Sequence, residues 1–292
     1  MKPSYLVTGG TGSFARAFVK RLLDTNASDR ICVFSRGEHQ QAQFCSEVKD
    51  DPRIRWFLGD VRELDRLRRA MDGVDIVVHA AALKRIESGH RNPVELVRTN
   101  ILGSVNVIEA AQDAHVKKVV ALSTDKAFQA KSAYGHSKAM AECLFLSADN
   151  TVNKIRGPRF AVVRYGNVWA SQGSVVPKWR AILDSGKVSV PVSDFRATRF
   201  FMTLDQAVDL VTDTVNTMQG GELRIPDLPA YSVGDLATAM GAKMDILGMP
   251  EFEKLHESMD ETRCSEDARR MTIAELRAHL GIARMQEMDA AE

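Results

Sequence analysis

The chain has 292 residues, of which 45% are hydrophobic and 26% charged, and its formal net charge is +1. These proportions are those of an ordinary globular protein, and the length suffices for one large domain or for one domain with a smaller lobe. Because positive and negative charges balance, neither nucleic acid nor an anionic membrane surface is expected as the main partner.

Short apolar runs alternate with longer helical patterns through the first half of the chain. Strands are predicted at Tyr5–Val7, Ile31–Phe34, Ile54–Leu58, Ile76–Val78, Val119–Leu122 and Ala161–Val163. Helical spacing of apolar residues covers Ser13–Leu23, Val94–Ala111 and Ala133–Leu146. Strands that alternate with helices predict an α/β fold, a Rossmann-like doubly wound parallel sheet whose helices cover both faces.

After Tyr165 the pattern changes to short strands, turns and helices. A helix is predicted to begin at Pro177, and further helical patterns cover Leu204–Met218, Val233–Met240 and Thr272–Leu280. We therefore predict two parts with some interleaved elements. Residues 1–168 would form a dinucleotide-binding domain that also carries the catalytic residues, and residues 169–292 a smaller C-terminal lobe that binds substrate.

A glycine-rich turn follows the first predicted strand and opens the first helix. Glycines there let the backbone approach a pyrophosphate, which the helix N-terminus stabilises. The spacing is G-x-x-G-x-x-A, and a tight turn without a ligand is the alternative interpretation. The predicted cofactor-binding residues of this turn are Thr8, Gly9, Gly12, Ser13 and Phe14.

The end of the second strand bears on the choice between NAD and NADP. An acidic residue there binds the ribose 2′-hydroxyl of NAD, whereas a basic residue accommodates the 2′-phosphate of NADP. Ser35 and Arg36 occupy this position, and no carboxylate occurs before Glu38. Arg36 is therefore predicted to bind the phosphate, which favours NADP over NAD, unless it is only a solvated loop residue.

The ends of the third and fourth strands supply further candidates. Asp60 and Val61 follow the third strand, where a carboxylate can accept the adenine amino group. Ala80, Ala81 and Ala82 follow the fourth, where small residues let the chain pass close to a cofactor. His79 has no second ligand at useful spacing, so we predict a packed histidine and no metal site.

Tyr134 and Lys138 stand four residues apart on a predicted helix and therefore share one face. A nearby ammonium favours the phenolate, so this tyrosine is predicted to act as a base. Asp125 and Lys126, which follow Thr124 at the end of the fifth strand, add a second acid and base couple. An alcohol oxidation alone does not need that second couple.

Together these motifs resemble the extended branch of the short-chain dehydrogenase/reductases, and within it the inverting UDP-N-acetylglucosamine 4,6-dehydratases of pseudaminic acid and capsular sugar biosynthesis. The resemblance runs from about Tyr5 to Val211 and continues weakly beyond. The residues that carry it read T-G-G-T-G-S-F, G-D-V-R, H-A-A-A-L-K, S-T-D-K-A, Y-G-x-S-K, R-Y-G-N-V and G-S-V-V-P.

The resemblance implies a mechanism with a recycled NADP. Tyr134 would take the proton of the sugar 4-hydroxyl, and Lys138 would hold the nicotinamide ribose and lower the pKa of Tyr134. Lys126 would then remove the C5 proton, Asp125 would protonate the departing 6-hydroxyl, and Thr124 would bind a sugar oxygen. Lys84 and Asn100 are further cofactor-binding positions of the family.

The resemblance also assigns the substrate-binding residues and the partners. The substrate, a UDP-sugar, would contact Lys84, Asn167, Val168, Val175, Pro177 and Arg199. Met249–Phe252 lacks an arginine that the family usually has near this point, which leaves the nucleotide and the sugar open. Relatives of this kind form homodimers or larger homo-oligomers, often through the helices over Asn100–Ala111 and Tyr134–Leu146.

Alternatives within the same superfamily are 4-epimerisation and 5,6-dehydration without return of hydride to C6, and a catalytically silent cofactor-binding protein is a third. The widely spaced Cys32, Cys45, Cys143 and Cys264 favour thiols in a reducing compartment. A strand begins at Tyr5, which leaves no room for a signal peptide, and no apolar run reaches membrane-spanning length. We therefore expect a cytoplasmic enzyme.

Overall fold

The structure is a computed structural model that describes residues 2–151 and 157–282. Its strands are β1 (Tyr5–Thr8), β2 (Ile31–Ser35), β3 (Ile54–Leu58), β4 (Ile76–His79), β5 (Lys118–Thr124), β6 (Arg159–Tyr165), β7 (Asn167–Val168), β8 (Ser189–Val192), β9 (Thr198–Met202), β10 (Glu222–Arg224), β11 (Ala230–Ser232) and β12 (Lys243–Ile246). Its helices are α1 (Ser13–Asp24), α2 (Glu38–Glu47), α3 (Leu64–Met71), α4 (Ile86–Arg91), α5 (Pro93–Leu96), α6 (Gly103–Asp113), α7 (Ala133–Thr151), α8 (Val175–Asp184), α9 (Leu204–Thr217), α10 (Val233–Ala239) and α11 (Ile273–Leu280).

A seven-stranded sheet holds the order β10-β6-β5-β4-β1-β2-β3, with every neighbouring pair parallel. All residues of β1, β2 and β4 are buried, as expected of strands that helices cover on both faces. The strand order reverses between β1 and β4, and ligands of such sheets bind at the carboxyl ends beside this switch. The predicted Rossmann-like parallel sheet is confirmed.

The helix predicted over Val94–Ala111 is interrupted. Between α5 and α6 the backbone forms a π-helical turn over Val97–Leu102, which contains the buried Asn100. Such insertions are frequent at functional sites. Where α6 begins, a Cβ on Gly103 would lie 2.8 Å from a methyl carbon of Val61, so the helix approaches the segment after β3 closely.

The chain forms two units. The first comprises Met1–Tyr165 and Thr203–Pro226, and the second comprises Gly166–Met202 and Asp227–Glu292. The chain returns to the first unit because α9 packs on α1, where Arg21 pairs with Asp209, and because β10 extends the sheet beside β6. Within residues 2–151 and 157–282, no helix has the length and apolarity needed to cross a bilayer.

The second unit has its own core and its own sheets. Strands β11, β9 and β7 form one sheet, and β12 pairs with β8 in another. The core beside them contains Trp179, Val190, Tyr231, Leu236 and Leu276. Helix α11 begins with a capping box in which Thr272 and Glu275 satisfy each other's backbone N–H groups, and residues 283–292 lie outside the described part.

Candidate active site

Lys138 lies on α7 under the carboxyl end of β5. Its side chain is buried, and Nζ donates a hydrogen bond of 2.6 Å to the carbonyl of Leu122. Burial lowers the pKa of Lys138 to about 8, and the negative charge of Glu142, one turn further along α7, opposes this shift. The ammonium therefore loses its proton more readily than that of an exposed lysine.

The pKa of Tyr134 shifts in the direction opposite to the one expected. Burial raises it to about 12, Lys126 lowers it in opposition, Asp125 raises it further, and a hydrogen bond with Thr124 lowers it. The cation that acts on the phenol is thus Lys126 rather than Lys138, whose Nζ is bound to Leu122. The interval of four residues pointed to Lys138, whereas the lysine whose charge acts on the phenol is Lys126, and the low polarity of the surroundings outweighs that charge.

Asp125 and Lys126 form an ion pair immediately after β5. The residues Asp125–Ala127 make a 3₁₀ turn, and Lys126 Nζ lies 3.1 Å from Asp125 Oδ1. The Asp125 side chain is fully buried, and 19% of the Lys126 side chain is exposed. The Thr124 hydroxyl donates to Asp125 Oδ1 over 2.9 Å and accepts from the backbone N–H of Lys126. All three predicted residues therefore meet beside the Tyr134 phenol.

Gly135 explains how α7 can approach this turn so closely. A Cβ at this position would lie well inside the van der Waals contact distance from the Lys126 carbonyl oxygen, and it would also contact Ala130. The glycine between the tyrosine and the lysine therefore brings the backbone of the Asp125–Lys126 turn against the helix that carries Tyr134.

The glycine turn after β1 forms a cradle against the segment after β4. Gly9 has a φ of +64°, and a Cβ there would lie 2.8 Å from the backbone nitrogen of Ala81. The Thr8 hydroxyl accepts from the Ala81 N–H and is 2.8 Å from His79 Nδ1. Burial lowers the pKa of His79 to about 3, so this residue is neutral and packed, as expected.

The N-terminus of α1 points at this cradle. Gly12 is its N-cap, and no side chain of the described residues caps it. Ser13 and Phe14 form its first turn, and Phe14 stacks on Phe18 with ring centroids 5.7 Å apart. Backbone N–H groups left uncapped at a helix N-terminus suit a pyrophosphate, so these residues fit a dinucleotide.

Arg36 and Asp60 are neighbours at the ends of β2 and β3. Arg36 Nη1 lies 3.4 Å from Asp60 Oδ2, and 53% of the Arg36 side chain is exposed. The buried Asp60 is held more closely by Arg62, whose Nη2 lies 2.6 Å from Asp60 Oδ2. Arg62 was not among the predicted site residues, although it stands two positions after Asp60. Ser35 is buried and its hydroxyl accepts from Gln41 Nε2 over 3.0 Å.

Asn100 connects the segment after β4 to α7. Its amide donates to the Leu83 carbonyl over 3.0 Å and to the Ser137 hydroxyl over 2.9 Å, and its oxygen accepts from the Leu83 N–H. Lys84, the next residue, is exposed. Although the side chain reaches solvent, the atoms packed around its ammonium desolvate it in part, and this desolvation and the charge of Arg85 lower the pKa of Lys84. Val61, Ala80 and Ala82 line the same edge of the sheet.

The substrate-binding candidates of the second unit lie on several of its elements. Asn167 and Val168 are β7, paired with Phe201 and Met202 of β9. Val175 is the first residue of α8, and Pro177 follows in its first turn.

Arg199, on β9, is already engaged by a carboxylate. It is buried, and its guanidinium lies 2.6 Å from Glu253 and donates to the carbonyls of Thr198 and Leu255. A diphosphate at Arg199 would compete with Glu253, which sequence reasoning did not select because it lies 54 positions away.

Comparison with known proteins agrees with this geometry. The profile of a family described as "Polysaccharide biosynthesis protein" matches residues 5–275. A UDP-N-acetylglucosamine 4,6-dehydratase (inverting) from Campylobacter jejuni is 42% identical over 260 residues, which are 88% of this chain and 77% of that protein. A UDP-glucose 4-epimerase from Rickettsia conorii is 37% identical over 266 residues, which are 87% of this chain and 76% of that protein.

Solved structures extend the comparison. Pen from Bacillus thuringiensis superposes with a TM-score of 0.91 at 30% identity, covering 97% of this chain and 98% of that one. The dTDP-glucose 4,6-dehydratase DesIV from Streptomyces venezuelae, with NAD and TYD bound, has a TM-score of 0.82 at 22% identity and covers 98% of each chain. The latter likeness concerns the fold alone.

Proposed function

The chain belongs to the polysaccharide biosynthesis protein family, and from that premise we propose that it is a UDP-N-acetylglucosamine 4,6-dehydratase that inverts C5. The product would be a UDP-4-keto-6-deoxy-N-acetylhexosamine. The observation that carries the proposal is the Asp125–Lys126 pair, joined over 3.1 Å beside the Tyr134 phenol. An enzyme that only oxidises an alcohol has no use for this pair. The inverting dehydratase relative supports the same activity.

The residues would act in two stages. Tyr134, once it has lost its own proton, would take the proton of the 4-hydroxyl. A nicotinamide dinucleotide held by the cradle at Gly9 and by the N-terminus of α1 would supply the hydride chemistry, oxidation at C4 and reduction at C6. The resulting 4-ketone acidifies the C5 proton, which Lys126 removes. Asp125 protonates the 6-hydroxyl, which leaves as water, and a proton from solvent added to C5 on the opposite face completes the product. Tyr134 releases to solvent the proton that it took from the 4-hydroxyl. One water is lost and the cofactor ends as it began.

Lys126 would act differently in the two stages. In the resting ion pair it is an ammonium, and its charge lowers the pKa of Tyr134 against the effect of burial. Transfer of one proton along its 3.1 Å contact with Asp125 yields a neutral amine and a carboxylic acid. These are the base and the acid that elimination requires. Elimination then regenerates the ion pair.

We propose NADP rather than NAD as the cofactor. The glycine cradle and the uncapped start of α1 suit either dinucleotide. The largely exposed guanidinium of Arg36 at the end of β2, where NAD-binding proteins have an acid, supports the 2′-phosphate. The opposing consideration is that Asp60 already attracts this guanidinium.

The proposal extends to the division of labour and the assembly. The first unit would hold the cofactor and perform the chemistry, and the second would bind the UDP-sugar through Arg199 and its neighbours. We also propose that the protein is located in the cytoplasm and assembles as a homodimer or larger homo-oligomer. In the described part of the chain, all four cysteines are free thiols, which supports a reducing compartment.

A 4-epimerase is the second candidate, because a UDP-glucose 4-epimerase is 37% identical to this chain. Such an enzyme would reduce the 4-ketone again on either face without removing the C5 proton. A 5,6-dehydratase would lose water but would not return hydride to C6.

One incubation separates these reactions. The protein is mixed with UDP-N-acetylglucosamine and NADP, or with NAD, in deuterated water, and the sugar is analysed by mass spectrometry and NMR. We expect loss of one water, deuterium at C5 and an inverted C5. Unchanged mass with an inverted C4 would identify an epimerase, and loss of water without a C6 methyl group would identify a 5,6-dehydratase. Lys126→Ala should abolish water loss, and undiminished loss would exclude the mechanism.

A further inference from the structure

A buried ion pair lies behind the catalytic residues. Glu142 on α7 faces Arg164 on β6, and 6% and 10% of their side chains are exposed. Arg164 Nε donates to one carboxylate oxygen over 2.9 Å and Nη2 donates to the other, so the guanidinium is held in the bidentate geometry. Burial of both charges costs desolvation that hydrophobic residues would not incur, which makes such a pair poor evidence for stability alone.

The position of Glu142 on α7 places it in line with the catalytic side chains. Tyr134, Lys138 and Glu142 follow one another at intervals of four residues, so they form one stripe along the helix. The carboxylate at the end of this stripe fixes the Arg164 guanidinium. The ion pair therefore joins β6 to the helix face that presents the phenol.

Arg164 also contacts the turn that carries the second catalytic couple. Its guanidinium carbon lies 5.8 Å from the centre of the Phe128 ring, within the range of a cation–π contact. Phe128 is half-buried and immediately follows the Asp125–Ala127 turn. The aromatic ring thus anchors the end of the turn that holds Lys126.

We propose that Phe128 and Arg164, with Glu142 orienting the guanidinium, are positioning residues that fix the Asp125–Lys126 turn relative to the Tyr134–Lys138 face. This inference rests on the proposed function, because it assigns the two couples to oxidation and elimination. On the helix side the link is a bidentate ion pair, and on the turn side it is the contact of the guanidinium with the Phe128 ring. Loss of the ring should therefore disturb elimination and leave oxidation intact.

The test measures the two stages separately in the full-length protein. Under single turnover, reduced dinucleotide formed from UDP-N-acetylglucosamine reports oxidation at C4, and deuterium at C5 with water loss reports elimination. In Phe128→Leu we expect elimination to slow about tenfold, equal to ~1.4 kcal/mol of barrier, while oxidation stays within about twofold and reduced dinucleotide accumulates. Phe128→Trp, which keeps an aromatic face, should restore elimination.

Further variants distinguish loss of the positioning contact from misfolding. Arg164→Met alone leaves a buried carboxylate unpaired, so it is compared with the double variant Glu142→Gln/Arg164→Met, which removes both charges. The double variant should fold and should slow elimination as much as Phe128→Leu does, whereas its oxidation rate also reflects the loss of the Glu142 charge that acts on Lys138. Phe57→Leu removes an aromatic ring of β3 whose centre lies 5.4 Å from the guanidinium carbon of Arg66 on α3. As the matched control, it should change the rate of neither oxidation nor elimination.

Two results would contradict the proposed positioning role. Equal slowing of both stages in Phe128→Leu, or full elimination activity in both Phe128→Leu and the double variant, would overturn it. Failure of the proposed function has a different signature, since the wild-type protein would then release no water and incorporate no deuterium at C5. Thermal unfolding of every variant shows whether a loss of rate reflects loss of the folded protein.

Discussion

Substitution of Gly135 by alanine tests how strictly the two proposed catalytic couples, Tyr134/Lys138 and Asp125/Lys126, must be aligned. The new Cβ would overlap the Lys126 carbonyl oxygen. Restoring an ordinary contact requires the turn and α7 to separate by about 1 Å, a displacement that can lower catalytic rates about 100-fold. Alanine also raises helix propensity by ~1 kcal/mol over glycine, which offsets part of the strain. We therefore expect a large loss of rate with a small change in stability.

The assay is the rate of water loss from the nucleotide sugar, measured beside dinucleotide affinity and the free energy of unfolding. Gly186→Ala is the matched control, because Gly186 has a φ of +86° and a Cβ there would contact nothing within 4 Å. It should cost about 1 kcal/mol of stability through backbone strain and leave the rate unchanged. Undiminished water loss in Gly135→Ala would refute the reasoning, as would a loss of dinucleotide affinity that accounts for the whole effect.

Three further perturbations test the cofactor cradle and the buried charges. Gly9→Ala should weaken dinucleotide binding at least about tenfold by calorimetry, because its Cβ would lie 2.8 Å from the Ala81 nitrogen and the positive φ adds strain; unchanged affinity would contradict the cradle. Arg36→Ala should weaken NADP about tenfold and NAD hardly at all, and equal weakening would exclude a 2′-phosphate contact. Lys138→Met should abolish activity yet stabilise the fold at pH 7 by about 2 kcal/mol, since the pKa of Lys138 falls from 10.5 to about 8 on folding. Between these two pH values the unfolded chain binds more protons than the folded protein, so the stability of the wild-type protein rises with pH. The difference in free energy of unfolding between wild type and Lys138→Met, measured by denaturant titration, should therefore shrink as the pH rises. A difference that stays constant across that range would contradict the prediction.

The core of the fold follows from local patterns. The buried strands β1, β2 and β4 are continuous apolar runs, which a parallel sheet requires, and they lie where the sequence predicts them. Helix α2 was not predicted, because its ten residues are mostly polar and bury only Gln41 and Phe44. The π-helical turn around Asn100 was not predicted either.

In the candidate site, too, local spacing predicts some features, whereas contacts between distant segments determine others. The interval of four residues between Tyr134 and Lys138 places them on one helix face whatever surrounds them. The direction in which the Tyr134 pKa moves depends instead on burial, which segments distant in the chain provide. The partners Arg164 for Glu142 and Glu253 for Arg199 likewise come from other elements, and no local spacing indicates them.

The sequence by itself determined the parallel sheet, the glycine turn after its first strand and the two candidate couples Tyr134/Lys138 and Asp125/Lys126, because each depends on residues within one or two turns of the chain. Only the tertiary structure decided which charges face one another, how strongly burial shifts their pKa values, and that α9 and β10 return to the first unit. Those features arise from contacts between distant segments, and the strength of an electrostatic interaction depends on the surroundings that such contacts create.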